Sequence, residues 1–127
     1  MATGRADEDE VLAANAAFYA AFNQKDAGAM ERAWSRQEAI TCIHPGWNLL
    51  RGRAEVLESW RAILTNPDQA RIIVGGAAVT LIGRAALLVC RELVGGMPLA
   101  ATNLFVQEDG EWKLLHHQSG AVSPAAA

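Results

Sequence analysis

Residues 99–119 read LAATNLFVQE-DG-EWKLLHHQS, and the fold is decided by this stretch. Two runs rich in aliphatic and aromatic residues flank Asp109-Gly110. That pair suits a two-residue hairpin turn, in which both central residues need positive φ. A hairpin of this kind also assigns register. Glu108 opposes Glu111, and counting back sets Phe105 opposite Leu114, Asn103 opposite His116 and Ala101 opposite Gln118.

Toward the N-terminus the same punctuation recurs. Gly95-Gly96 joins the run Leu99–Glu108 to Ala85–Val94, and Gly83-Arg84 joins that run to Arg71–Ile82. With Glu111–Ser119 this makes a four-stranded antiparallel meander with short turns. Counting from Gly95-Gly96 pairs Cys90 with Ala101 and Leu88 with Asn103. Because side chains alternate, one face holds Leu88, Cys90, Glu92, Asn103, Phe105, Leu114, His116 and Gln118. The other holds Leu87, Val89, Arg91, Thr102, Leu104, Leu115 and His117. The first face mixes apolar walls with convergent polar groups, as a small-molecule cleft requires. The second is too apolar for water, so Leu87, Val89, Leu104 and Leu115 predict a homodimer through that face.

The first half of the chain has helical period instead. From Asp7 to Asn23, the residues Val11, Leu12, Phe18, Tyr19 and Phe22 form one stripe with Asn15 inside it. The acidic start, Asp7 to Glu10, suits the positive end of a helix dipole. Asp26 reads as the N-cap of a second helix carrying Ala29, Met30, Ala33 and Trp34. Ile40–Ile43 is a short strand broken by His44-Pro45-Gly46. A third helix spans Arg53–Leu64, with Val56, Leu57, Trp60, Ile63 and Leu64 on one face, and Asn66-Pro67-Asp68 ends it. Helices and sheet each have an apolar face to bury, which packing one on the other achieves. The expected architecture is α+β: residues 1–6 a mobile lead, 7–120 one domain and 121–127 a frayed tail.

Composition narrows the class. A chain of 127 residues suits one domain, burying roughly two-thirds of its unfolded surface. No apolar run approaches the ~20 residues that span a bilayer. The acidic N-terminus lacks the features of a signal peptide, so a cytoplasmic protein with no membrane partner is expected. Net charge is −3, with eleven scattered basic residues, and predicts no nucleic-acid partner. Cys42 and Cys90 are isolated and read as free buried thiols.

Several segments together carry a resemblance. Thr41-Cys42-Ile43-His44-Pro45-Gly46-Trp47, then Leu50-Arg51-Gly52-Arg53 leading to Val56 and Ser59-Trp60, resemble the SnoaL-like branch of the nuclear-transport-factor-2-like superfamily. Ala101–Phe105, Asp109–Lys113 and His116-His117 continue the likeness, which covers roughly Glu8 to Ser119. It implies a cone-shaped, cystatin-like fold, with three N-terminal helices packed on a curved antiparallel sheet. It is specific for fold and not for function, since the superfold hosts isomerases, dehydratases, hydrolases, binding proteins and assembly domains. Related sequences end the last strand with three histidines. Here the third place is Gln118, so a role needing a third imidazole does not carry over.

Candidate chemistry follows from the faces. His116 beside Asn103 is a candidate general base, held in one tautomer by the amide; the same placement fits a histidine that only closes the core. Tyr19, the sole tyrosine, is the candidate phenol for polarising a carbonyl oxygen. His44, Trp47, Trp60, Cys90, Phe105, Leu114 and Gln118 are candidate ligand contacts, although the tryptophans also suit core and rim. His116 and His117 diverge as strand neighbours and do not make a metal site. The resemblance implies an acidic base in enzymes that move protons next to a carbonyl, and linked Asp and Arg in those opening epoxides. Glu92 alone falls within a strand on the cleft side, close enough to Gly95-Gly96 to be solvated. No Gly-x-Ser-x-Gly, phosphate loop or dinucleotide fingerprint is present, and no cofactor is expected. The reading placed first is a protein binding a small apolar organic ligand. The alternatives are a cofactor-free isomerase, dehydratase or cyclase using His116, and a homodimeric assembly domain without a ligand.

Overall fold

The computed structural model describes residues 3–123, so Met1, Ala2 and residues 124–127, parts of the expected lead and tail, lie outside it. The chain opens with helix α1 (Thr3–Asn23) and α2 (Ala27–Ala33). Asp26 caps α2 as its sequence position requires, its carboxylate accepting from the Ala29 amide at 3.0 Å. Two short strands follow, β1 (Thr41–Ile43) and β2 (Leu50–Arg51), then α3 (Arg53–Leu64). The meander is β3 (Ile72–Ile82), β4 (Ala85–Val94), β5 (Met97–Glu108) and β6 (Glu111–Ala121).

The three turns fall where the glycine pairs stand. Asp109 and Gly110 have φ of 53° and 79°, Gly95 and Gly96 of 57° and 83°, the pattern of a primed hairpin turn. Pairing therefore begins in the expected register, with Glu108 against Glu111 and Phe105 against Leu114. Cys90 meets Ala101 and Leu88 meets Asn103, also as counted.

Four expectations are corrected. The sheet is not a four-stranded antiparallel meander but six-stranded and mixed, in the order β2-β1-β6-β5-β4-β3, because β1 pairs parallel with β6. The third helix is not N-terminal to the sheet: α3 follows β1 and β2. Helix α1 starts at Thr3, inside the expected lead, so Asp7–Glu10 lie beyond its first turn and the dipole argument for them lapses; Leu12, placed in its buried stripe, is 38% exposed. The fourth correction matters most for function. Between Leu104 and Phe105 the β5–β6 register shifts by one, so that Leu104 opposes His116, Asn103 opposes His117 and Ala101 opposes Ser119. Leu115 is the extra residue of this β-bulge, and a bulge exchanges the faces of everything beyond it.

The core lies between the helices and the face of the sheet that carries Leu88, Cys90, Ala101, Phe105 and Leu114. Phe18 on α1 is its hub, 1% exposed. Its ring meets Trp34, Trp60 and His117 edge-on at centroid distances of 6.3, 5.5 and 5.1 Å. Asn23 ties the end of α1 to β3: its side-chain amide exchanges two hydrogen bonds with the Ile72 backbone, at 2.9 and 2.8 Å. That seam closes one side of the space between helices and sheet.

Candidate functional site

A cavity of about 510 Å³ opens between α1, α3 and the sheet. Its walls are Phe18 and Phe22 of α1, Trp60 and Ile63 of α3, and Ile72, Val94 and Leu99 of the sheet. The turn His44–Trp47 contributes His44, Pro45 and Trp47 to the lining. Pro45 and Gly46 occupy its centre, Gly46 at φ 81°, and the Trp47 amide donates to the His44 carbonyl at 2.9 Å. Proline presets the first central residue and glycine accepts the positive φ of the second, which is why this sequence turns here. Trp47 is left 47% exposed at the rim.

The floor is polar. Glu92 of β4, 3% exposed, accepts from the Tyr19 hydroxyl at 2.6 Å and from the Ser119 hydroxyl at 2.5 Å. Burial, reinforced by the neighbouring charge of Glu92, holds the Tyr19 hydroxyl far above the ordinary phenol range, so it stays a donor. Behind the floor, the Asn103 amide nitrogen donates to Asn15 Oδ1 at 2.8 Å and to the Tyr19 oxygen at 3.2 Å. Its oxygen therefore accepts, and the partner is Nδ1 of His117 at 2.5 Å. With the proton on Nδ1, the neutral ring of His117 carries a lone pair on Nε2. Burial, then the nearby imidazoles of His44 and His116, lower its pKa to about 3. His117 lines the cavity as an uncharged acceptor.

His44 is uncharged for the same reason, burial lowering it to about 4. Ser59 donates its proton to the Val56 carbonyl at 2.6 Å, so His44 Nε2 must donate to Ser59 Oγ, 2.8 Å away. Its ring packs edge-on against Trp47 and Trp60 at 4.8 and 4.5 Å. The Trp60 indole N–H has no partner among the described residues.

Of the expected contacts, Tyr19, His44, Trp47 and Trp60 line the cavity. Asn103, expected beside the catalytic imidazole, is fully buried one layer behind, positioning His117 in place of His116. Cys90 is buried beside Tyr19 at 3.5 Å, and Phe105 and Leu114 belong to the closed core rather than to the cavity lining. His116 and Gln118 do not face the cavity at all. The bulge turns both to the opposite face, where His116 is half-buried and bonded through Nδ1 to Thr41 Oγ1 at 2.6 Å. Glu92, read as close enough to its turn to be solvated, is instead buried at the floor. Ser119 and Asn15 were not singled out for the site. A hydroxyl in a final strand and an amide in a helical stripe carry no local signal until the tertiary pairing is known. Among the described residues, no three of His, Cys, Asp and Glu gather as a metal site needs. No helix among them is long and apolar enough to cross a membrane.

Helices packed on one face of a six-stranded mixed sheet, with a half-open cavity between, define the cystatin-like fold of NTF2-like proteins. The chain belongs to the SnoaL-like domain family, whose model matches residues 11–124. It is similar to the crystal structure of a provisionally assigned dehydratase of the NTF2-like family from Streptomyces avermitilis. That likeness has TM-score 0.86 and 31% identity, covering 94% of this chain and 99% of the other. A provisionally assigned calcium/calmodulin-dependent protein kinase type II association domain from Thiobacillus denitrificans is 27% identical, with TM-score 0.80, covering 87% and 94% of the two chains. The F-box protein SKIP8 of Arabidopsis thaliana is 28% identical over 121 residues, 88% of this chain and 49% of that protein. This chain thus spans about half the length of that curated relative.

Proposed function

We propose that this protein binds a small, mostly apolar organic molecule in the cavity, with the ligand's one polar group seated against Glu92 and His117. The observation that carries the reading is the cavity itself: about 510 Å³, apolar on its walls and polar only at its floor and rim. That volume and that distribution of polarity are those of small-molecule sites. The floor is preorganised, because Tyr19, Ser119 and Asn103 hold Glu92 and His117 before any ligand arrives. A thermal-shift screen of carbonyl, steroid-like and polyketide-like compounds tests it. A ligand at a hundredfold its dissociation constant stabilises by about 2.7 kcal/mol. If no small molecule of any of these classes raises the melting temperature, the reading fails.

A second reading is a cofactor-free isomerase, dehydratase or cyclase, favoured by the buried Glu92 and by the 31% identity to the provisionally assigned dehydratase. His117 takes the role first given to His116. It ranks second because an imidazole held near 3 is far from the neutral poise of an efficient general base. We also propose a homodimer through the outer face of the sheet, where Val89 is 44% exposed and Leu87, Leu104 and Leu115 stand half-buried. The bulge gives that face His116 in place of His117.

A further inference from the structure

We infer that the ligand's polar group is a cation, so that the cavity takes a small organic amine as its ammonium form. This rests on the cavity being a binding site and adds the charge of what it binds. Glu92 is the single acidic side chain in the lining, which holds neither lysine nor arginine. None of the ion pairs among the described residues involves it. A buried carboxylate without a counter-ion is costly, and two hydroxyl donors relieve only part of that cost. Each of its oxygens has one hydroxyl partner and keeps acceptor capacity in reserve. The other polar group at the floor, His117 Nε2, is likewise an acceptor, so a donor-rich head group meets two complementary partners there, whereas the donors in the lining, the Trp60 indole N–H and the Asn66 and Gln69 amides, come from α3 and the chain after it. The walls agree with this sign. Phe18, Phe22, Tyr19, Trp60 and Trp47 line the same space, and aromatic faces attract ammonium groups.

Three probes of one size and ring separate the possibilities: benzylamine, benzyl alcohol and benzoate, titrated calorimetrically into the full chain at neutral pH. The expected result is benzylamine binding about tenfold or more tighter than benzyl alcohol, with benzoate weakest. Glu92→Gln should abolish that preference, benzylamine then binding no tighter than benzyl alcohol. If benzyl alcohol or benzoate binds as tightly as benzylamine to the wild-type protein, the inference is overturned while the cavity stands as a binding site. If none of the three binds, the inference is overturned, and the thermal-shift screen alone decides the cavity. Persistence of the preference in a folded Glu92→Gln protein also overturns it. Should that variant fail to fold, the wild-type ranking of the three probes decides alone.

Discussion

Asn103 Oδ1 lies 2.5 Å from Nδ1 of His117, a contact that exists only because a bulge at Leu115 moved His117 onto the cavity side. The amide is itself fixed by Asn15 and Tyr19, so the proton of this bond belongs to the imidazole. Nitrogen-15 spectra of the free protein at neutral pH should show His117 Nδ1 protonated and Nε2 as the bare, pyridine-type nitrogen. Asn103→Asp should raise the pKa of His117, since a carboxylate beside the ring favours the imidazolium. A bare Nδ1, or no rise in that variant, would contradict the assignment.

Two buried neutral histidines set a pH dependence. His117 and His44 titrate near 3 and 4 in the folded chain, against about 6.5 when unfolded. Between those values the unfolded chain binds more protons, so stability falls as pH is lowered from about 6.5 toward 3. At the acid end of that window the two together account for a loss of several kcal/mol, about 3–5 from His117. Denaturant titrations from pH 7 to pH 4 on His117→Gln and wild type check it: the variant's curve should be the flatter of the two. Equal slopes would remove His117 as the cause.

Phe18 is the hub on which the helices, Trp34, Trp60 and His117 meet. Phe18→Ala should lower the free energy of unfolding by about 3–5 kcal/mol, as truncating a fully buried aromatic does. Urea unfolding measures this directly, and a loss below about 1 kcal/mol would mean that the core is organised elsewhere.

Helix α3 was legible over about Arg53 to Leu64 and strand β4 over Ala85–Val94, and all three hairpin turns from their glycines. Those features are local: periodicity and positive φ are written within a few residues. The β1–β6 pairing was not legible, because Thr41 and His116 are 75 residues apart and parallel pairing leaves no turn signal. The histidine assignment failed for a narrower reason. Counting alternation through Leu114-Leu115 cannot detect the bulge at Leu115, since the like pair Leu87-Leu88 keeps its register. Glu92 was placed on the correct face but at the wrong depth, since the helix that covers it contributes Tyr19 from 73 residues away.

The outer face of the sheet should close a homodimer. Leu104→Glu places an unpaired charge in that apolar contact and should yield a monomer in sedimentation velocity, with far-UV circular dichroism unchanged. His116→Ala, on the same face, should leave cavity binding intact. A wild-type monomer at micromolar concentration would remove the dimer from the account.

The tryptophans provide the most direct test that the cavity is where a ligand sits. Trp47 and Trp60 line it, Trp34 packs against Trp60 at 6.4 Å, and Trp112 faces a separate groove with Ala13 and Ala17 of α1. The measurement is a nitrogen-15 correlation spectrum of the four indole N–H groups during titration with benzylamine and, separately, benzyl alcohol. The account predicts saturable shifts of Trp60 and Trp47, with Trp112 stationary. Saturable shifts of Trp112 with Trp47 and Trp60 unmoved would contradict it.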